Sequence, residues 1–277
     1  MISCQAFSRK LAGRSAINMT TKPLLSVYRT VYEQGFLPIF VKDNYDTQVL
    51  LEGCLEAGVK VIEYTLRRPD AHVMIPKIRK QYPDLCILAG STLDDDAMIH
   101  QLRRRNPVLL TVAELDAIGV DGFVSMLGWR EETIRRYATR RIIIPSANTP
   151  NEAYFQVGAG AHFAKFVGND LSLVKRCRME PTHGFCPVMV TGGASLDRID
   201  EIVSAGAVLI GSGFDLILRN EPNITSQKVA TIVRAYCDAV QAARNKMWPA
   251  LARAAGADDK TWLTALPHVH PFDSELQ

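Results

Sequence analysis

No run of apolar residues in this 277-residue chain approaches the roughly 20 needed to cross a bilayer as a helix, which excludes that kind of membrane protein. There is no strong excess of either charge: the formal net charge of +3 is too small to argue for nucleic acid or a membrane surface as partner. The six cysteines (Cys4, Cys54, Cys86, Cys177, Cys186, Cys237) include no CxxC pair and are scattered, mostly in apolar stretches. Such cysteines behave as small buried hydrophobes, which argues against a disulfide framework and for a reducing compartment, the cytoplasm. Zinc-ligand spacing is missing as well. His268 and His270 form an HxH in the tail that needs distant residues to hold an ion, and neither a metal nor another cofactor is expected. Acidic residues are absent from the first 32 positions, which do carry Arg9, Lys10, Arg14, Lys22 and Arg29 among serines. That is the composition of an organelle transit peptide, although the plainer and preferred account is an extension leading into a first helix from Leu24 to Glu33. What the chain does have is core material, with 47% hydrophobic residues, enough for one large domain of the α/β-barrel size.

From Phe36 the sequence alternates short β-rich runs with longer segments whose apolar residues recur every three or four positions, as on an amphipathic helix. The runs that read as strands are 36–41, 60–65, 86–90, 122–126, 141–145, 162–166, 187–191 and 207–211. Asp46, Asp94, Asn169 and Ser195 suit helix N-caps, and Gly58 and Gly206 suit helix ends. Strict β-then-α order implies parallel strands with right-handed crossovers, and eight repeats close a (β/α)8 barrel. An open doubly wound sheet is the competitor. It usually carries a glycine fingerprint after its first strand, where this chain has Val41-Lys42-Asp43-Asn44. The expected layout is an N-terminal extension over 1–23, the barrel over 24–240 and a C-terminal extension over 241–277. The stretch Arg103–Val120 is long for one connection and reads as a helix extension or a small insertion. The tail from Gln241 begins helical and turns irregular, suited to packing under the barrel or to assembly.

Side chains alternate inward and outward along a barrel strand, and function sits at the carboxyl ends. Alternation groups Glu63, Thr65 and Arg67 on strand 2, and Ala161, Phe163 and Lys165 on strand 6. A carboxylate and a lysine would then share one mouth, each embedded in an apolar run. Desolvation disfavours the ammonium and lowers a lysine pKa, as an imine-forming amine requires, and the glutamate is suited to moving protons. The plainer accounts are a lysine that snorkels to the surface and a glutamate that is a salt-bridge partner, even of Lys165 itself. Thr191-Gly192-Gly193 and Gly211-Ser212-Gly213 follow the last two strands, where barrels often bind phosphate, although glycines also serve tight turns.

Gly58-Val59-Lys60-Val61-Ile62-Glu63-Tyr64-Thr65-Leu66-Arg67-Arg68-Pro69-Asp70-Ala71 resembles the signature of the 2-keto-3-deoxy-6-phosphogluconate / 4-hydroxy-2-oxoglutarate aldolase family. Ala89-Gly90-Ser91 is similar to that family's Ala-Gly-Thr, and Phe123-Val124-Ser125 to the start of its Phe-x-Ser-Pro. Thr149-Pro150-Asn151-Glu152 resembles its Thr-Pro-[Ser/Thr]-Glu, Phe163-Ala164-Lys165-Phe166 its Schiff-base strand, and Thr191-Gly192-Gly193 its Thr-Gly-Gly. The matches keep the family's order and cover about Leu24 to Leu218. The resemblance implies a class I aldolase, a lyase of carbohydrate metabolism that forms a homotrimer and cleaves a 2-keto-4-hydroxy acid, phosphorylated or not, to pyruvate and an aldehyde. Lys165 would form the Schiff base and Glu63 would be the general acid/base. Arg67 would pair with the pyruvate carboxylate beside Gly90 and Ser91, a task for its planar fork. Thr191 would line the reacting centre, and Gly192, Gly193, Gly211 and Ser212 would face the distal, often phosphorylated, end. Lys42 falls where many members have arginine, and a second cation there would depress the Lys165 pKa. The chain departs from the pattern at Met126 (family Pro), at Ser146 (family Gly), at Val167-Gly168-Asn169-Asp170 after the lysine strand, and in Gly-Ser-Gly for Gly-Gly-Ser. A phosphate-binding barrel isomerase or synthase would use the glycine loops without Lys165. A catalytically silent barrel binding a protein through its extensions would have no physical reason to keep buried charges.

Overall fold

The computed structural model describes residues 22–42, 44–219 and 221–272. The acid-poor segment before Lys22, with its transit-peptide reading and Cys4, lies outside the described residues.

Eight parallel strands form the centre: β1 (Phe36–Phe40), β2 (Val61–Thr65), β3 (Cys86–Gly90), β4 (Gly122–Val124), β5 (Ile142–Ile144), β6 (Ala164–Val167), β7 (Val188–Thr191) and β8 (Ala207–Gly213). They run in the order β5-β4-β3-β2-β1-β8-β7-β6. The ring closes between β5 and β6 through a bridge pairing Ser146 with Lys165. With helices alternating around it, this is the (β/α)8 barrel expected from the periodicity. Two-residue alternation sorts the core. Leu37, Val61, Cys86, Leu88, Ile142, Phe163, Met189 and Leu209 fill the barrel. Phe36, Ile62, Ile87, Ile143, Ala164 and Val188 face the helices.

Asp46 caps α2 (Thr47–Glu56), its side chain accepting the N–H groups of Gln48 and Val49, and Gly206 ends its helix as expected. Two caps are shifted from the expectation, one by one residue and one by two. Asp95, not Asp94, accepts the Met98 N–H, while Asp94 pairs with Arg130 at 3.2 Å. At the helix Ser172–Arg176 the cap position is Leu171 rather than Asn169, and Asp170 before it accepts the Ser172 N–H. The long Arg103–Val120 stretch contains a helix of its own, Val112–Ile118, started by a capping box between Thr111 and Glu114.

The amino end of the barrel is sealed by α1 (Leu24–Gln34), whose buried residues Val27, Tyr28, Val31 and Tyr32 repeat at helical spacing. The tail packs beneath it. After a long helix over Ser226–Met247, a short helix over Asp259–Thr264 inserts Trp262, edge-on to the Tyr32 ring at 5.5 Å. Phe272 follows, 5.0 Å from the Tyr28 ring. His268 is held in this packing rather than poised for a metal, with Nε2 3.0 Å from the Tyr32 hydroxyl. The described cysteines are free, and Cys54, Cys86, Cys177 and Cys186 are buried. No described helix is long and apolar enough to cross a membrane.

His162 is buried among these rings, and its Nδ1 accepts the Ile143 N–H at 3.2 Å, a contact only the neutral ring can make. Burial pushes its pKa down from the usual 6.5 to about 3. The unfolded chain therefore takes up a proton below about pH 6.5 while the folded chain does not. The stability His162 contributes is complete above that range and is lost as pH falls through it. Unfolding free energy is expected to drop by about 2 kcal/mol between pH 7 and pH 5 from this residue. Urea denaturation at both pH values checks it, with His162→Gln expected to flatten the difference.

Candidate active site

Glu63 follows Val61 on the inner face of β2, and Lys165 follows Phe163 on the inner face of β6. Both point into the barrel near its carboxyl end and are 1% and 3% exposed. They are not a salt bridge: among the described residues no ion pair within 4.0 Å involves either group. Glu63 Oε2 has no hydrogen-bond partner, and such an orphaned buried oxygen is uncommon outside functional sites. Burial pushes the Lys165 ammonium below the usual lysine range; Glu63 opposes that shift and Arg67 adds to it. Burial likewise lifts Glu63 above the usual carboxylate range, against the attraction of Lys165 and Arg67. Each group is thus driven towards its neutral form, an amine and a carboxylic acid, within one enclosed space.

The wall opposite Glu63 has to be glycine. A Cβ on Gly90 would lie 2.1 Å from Glu63 Oε1, well inside van der Waals contact. Gly90→Ala is expected to displace the carboxyl group and lower kcat about 100-fold, the cost of an ångström-scale misplacement of a catalytic group. Steady-state kinetics alongside a thermal melt check this, with the fold retained. Ser91 follows in the left-handed region at φ 59°, unusual for a residue with a side chain. Its Oγ is buried without a partner.

Arg67 is exposed just past β2, and its charge reaches both Glu63 and Lys165. Its neighbour Arg68 is buried and structural: it pairs with Asp70 at 3.1 Å, donates to Thr47 Oγ1 at 2.7 Å, and also donates to the Lys42 carbonyl oxygen. Thr191 ends β7 facing Gly211 on β8, where a Cβ would sit 3.4 Å from Thr191 Oγ1. Gly192 and Gly193 take left-handed φ values of 81° and 71°. Ser212 is buried, and alternation from the inward Gly211 turns its side chain towards the helices.

Lys42 is not brought to Lys165. Its exposed ammonium faces Asp215, 3.5 Å away, so the cation that depresses the Lys165 pKa is Arg67. The expected placement failed because β1 ends at Phe40, and two further residues carry the chain past the lip of the barrel.

Reading the sequence overlooked two groups at this end and noted a third, Ser146, only as a departure from the family pattern. Asp215 lies in the first turn of the short helix after β8. Arg198 donates to Asn169 Oδ1 at 2.7 Å and to the Gly193 carbonyl at 3.2 Å. Ser146, where the family pattern has glycine, donates from Oγ to the Lys165 carbonyl at 3.1 Å. None has a local signal, because each contact joins residues on different strands or loops.

Fold and site together define a (β/α)8 barrel with a buried lysine and a buried carboxyl group at its functional end. The KDPG and KHG aldolase family model matches residues 29–235, and the chain belongs to that family. No curated protein matches it by sequence. Among solved structures it is similar to a native KDPGal structure, with 21% identity over 75% of this chain and 95% of the other, TM-score 0.56. The 2-keto-3-deoxy-6-phosphogluconate aldolase from Zymomonas mobilis ATCC 29191 shares 19% identity over 80% of this chain and 100% of the other, TM-score 0.58. KDPG aldolase from Legionella pneumophila, with pyruvate captured as a covalent carbinolamine, shares 18% identity over 79% and 97%, TM-score 0.54. At these identities the likeness is one of fold.

Proposed function

We propose that this protein is a class I aldolase that reversibly cleaves a 2-keto-4-hydroxy acid to pyruvate and an aldehyde through a Schiff base on Lys165. The observation that carries this is the pair of buried ionisable groups, Lys165 and Glu63, within electrostatic reach of one another inside the barrel without forming an ion pair. Carbinolamine capture of pyruvate by the Legionella relative supports the same chemistry here.

The chemistry follows from the groups. The neutral Lys165 amine adds to the 2-keto carbon, and loss of water leaves an imine. The imine is an electron sink, so the C3–C4 bond breaks as a base takes the proton of the C4 hydroxyl, the aldehyde leaves, and the bond electrons remain as an enamine. Protonation at C3 and hydrolysis release pyruvate and regenerate the amine. Glu63, biased towards its acid form, moves the protons. Arg67 at the lip pairs with the carboxylate, beside Gly90 and Ser91, and Thr191 lines the reacting centre. Gly192, Gly193, Gly211 and Ser212 border the aldehyde end. The assembly is a homotrimer and its compartment the cytoplasm.

Borohydride reduction of the protein with pyruvate tests this. Peptide mass spectrometry is expected to find a reduced pyruvate adduct on Lys165 that is absent without pyruvate. An adduct confined to other lysines, or none, would remove the nucleophile and leave an anion-binding barrel without an assigned reaction.

A further inference from the structure

We infer that Asp215 makes the aldehyde end of the site select an uncharged aldehyde over a phosphorylated one. This rests on the aldolase reading above and adds the class of its second substrate.

Barrels bind phosphate after strands 7 and 8 by leaving backbone N–H groups and a short helix N-terminus free to face it. A phosphate dianion there needs empty space over the glycines and a surplus of positive charge. Neither is present. After β8, Asp215 folds its carboxylate back over Gly213, with Oδ1 2.3 Å from where a Cβ would lie. The chain's own anion stands beside the turn that would receive the phosphate. The cation on this side, Lys42, is matched to it at 3.5 Å.

The loop after β7 is filled in the same sense. Asn169 Oδ1 lies 1.7 Å from the Cβ position of Gly193, so an acceptor oxygen covers the glycine. Arg198 holds it there at 2.7 Å, and its other contacts go to the Gly193 and Asn169 carbonyls, each at 3.2 Å, and to Glu201 at 3.1 Å. Lys42 and Arg198 are therefore each engaged by acceptors within the chain. Above Lys165, on the same face of β6, Val167 is 47% exposed and packs against Gly192, adding an apolar wall. Acceptor oxygens beside an apolar wall suit hydroxyl donors on an uncharged aldehyde, whereas a phosphate dianion meets a like charge at Asp215.

The test is the ratio of kcat/KM for pyruvate condensing with glyceraldehyde to that with glyceraldehyde 3-phosphate, measured on the full chain. The wild type is expected to favour glyceraldehyde at least 10-fold. Asp215→Asn and Asp215→Ala, either of which frees Lys42 to meet phosphate, are expected to narrow that preference about 10-fold or more. A wild type that takes the phosphorylated aldehyde equally well or better overturns the inference, as does a ratio that neither variant moves. It also falls if pyruvate is trapped on Lys165 but neither aldehyde condenses. In each of these cases the Lys165 adduct still forms, so the aldolase reading stands. Failure of borohydride to fix pyruvate on Lys165 is instead the failure of that reading, and this inference falls with it.

Discussion

Lys165→Met is expected to abolish pyruvate trapping and lower aldol cleavage by roughly four orders of magnitude or more, about 5 kcal/mol of transition-state stabilisation. No neighbouring group can stand in for it. Arg67 carries a guanidinium rather than an amine, and Lys42 is committed to Asp215 past the lip of the barrel. The same substitution is expected to leave folding stability unchanged or raise it by about 1 kcal/mol, since a buried amine is exchanged for an apolar chain of similar length. The contacts that fix this position are made by its backbone: Lys165 N–H donates to the Pro145 carbonyl at 2.9 Å, and its own carbonyl accepts from Ala147 N–H at 2.9 Å. Activity and a urea unfolding curve, measured together, check both halves. Lost activity with lost stability would make the lysine a structural residue.

Glu63→Gln is expected to lower kcat by about 10²–10⁴-fold while the borohydride adduct still forms, more slowly. The amide keeps the volume and the fit against Gly90 but neither gives nor takes the proton. It also removes a negative charge that holds the Lys165 pKa up, so Lys165 remains an amine to lower pH. The acid limb of the pH profile for adduct formation should therefore move to lower pH, not higher. The profile reports the field of Glu63 on Lys165, and the fall in kcat reports its part in moving the proton. An upward shift, or kcat within a few-fold of wild type, would exclude Glu63 as the proton carrier.

The centre of this site is readable from sequence because the physics that places it is local. Two-residue alternation on β2 and β6 decides that Glu63 shares a face with Val61 and Lys165 with Phe163, and strand count turns those faces inward. The first helix was legible for the same reason, its buried residues recurring at helical spacing. The far end was not. Lys42 and Asp215 meet only because β1 lies beside β8 in the closed ring, and nothing within either loop announces the pair. Arg198 reaches Asn169 from the loop after β7, and Asn169 by itself reads as a helix cap. The tail posed a similar difficulty: Trp262 and Phe272 sit in a polar, irregular stretch whose partners, Tyr28 and Tyr32, lie near the other end of the chain.

The barrel has seven ordinary strand pairings and one thin closure, and that closure runs through the backbone of Lys165. Completion of the ring and burial of Lys165 are therefore a single event. A nascent or partly opened chain, with most of its sheet formed but its seam unmade, presents its amine to water as an ordinary lysine. On the aldolase reading proposed above, such a chain is an inert protein rather than a careless catalyst, and turnover reports the wholeness of the ring, which secondary-structure content alone does not.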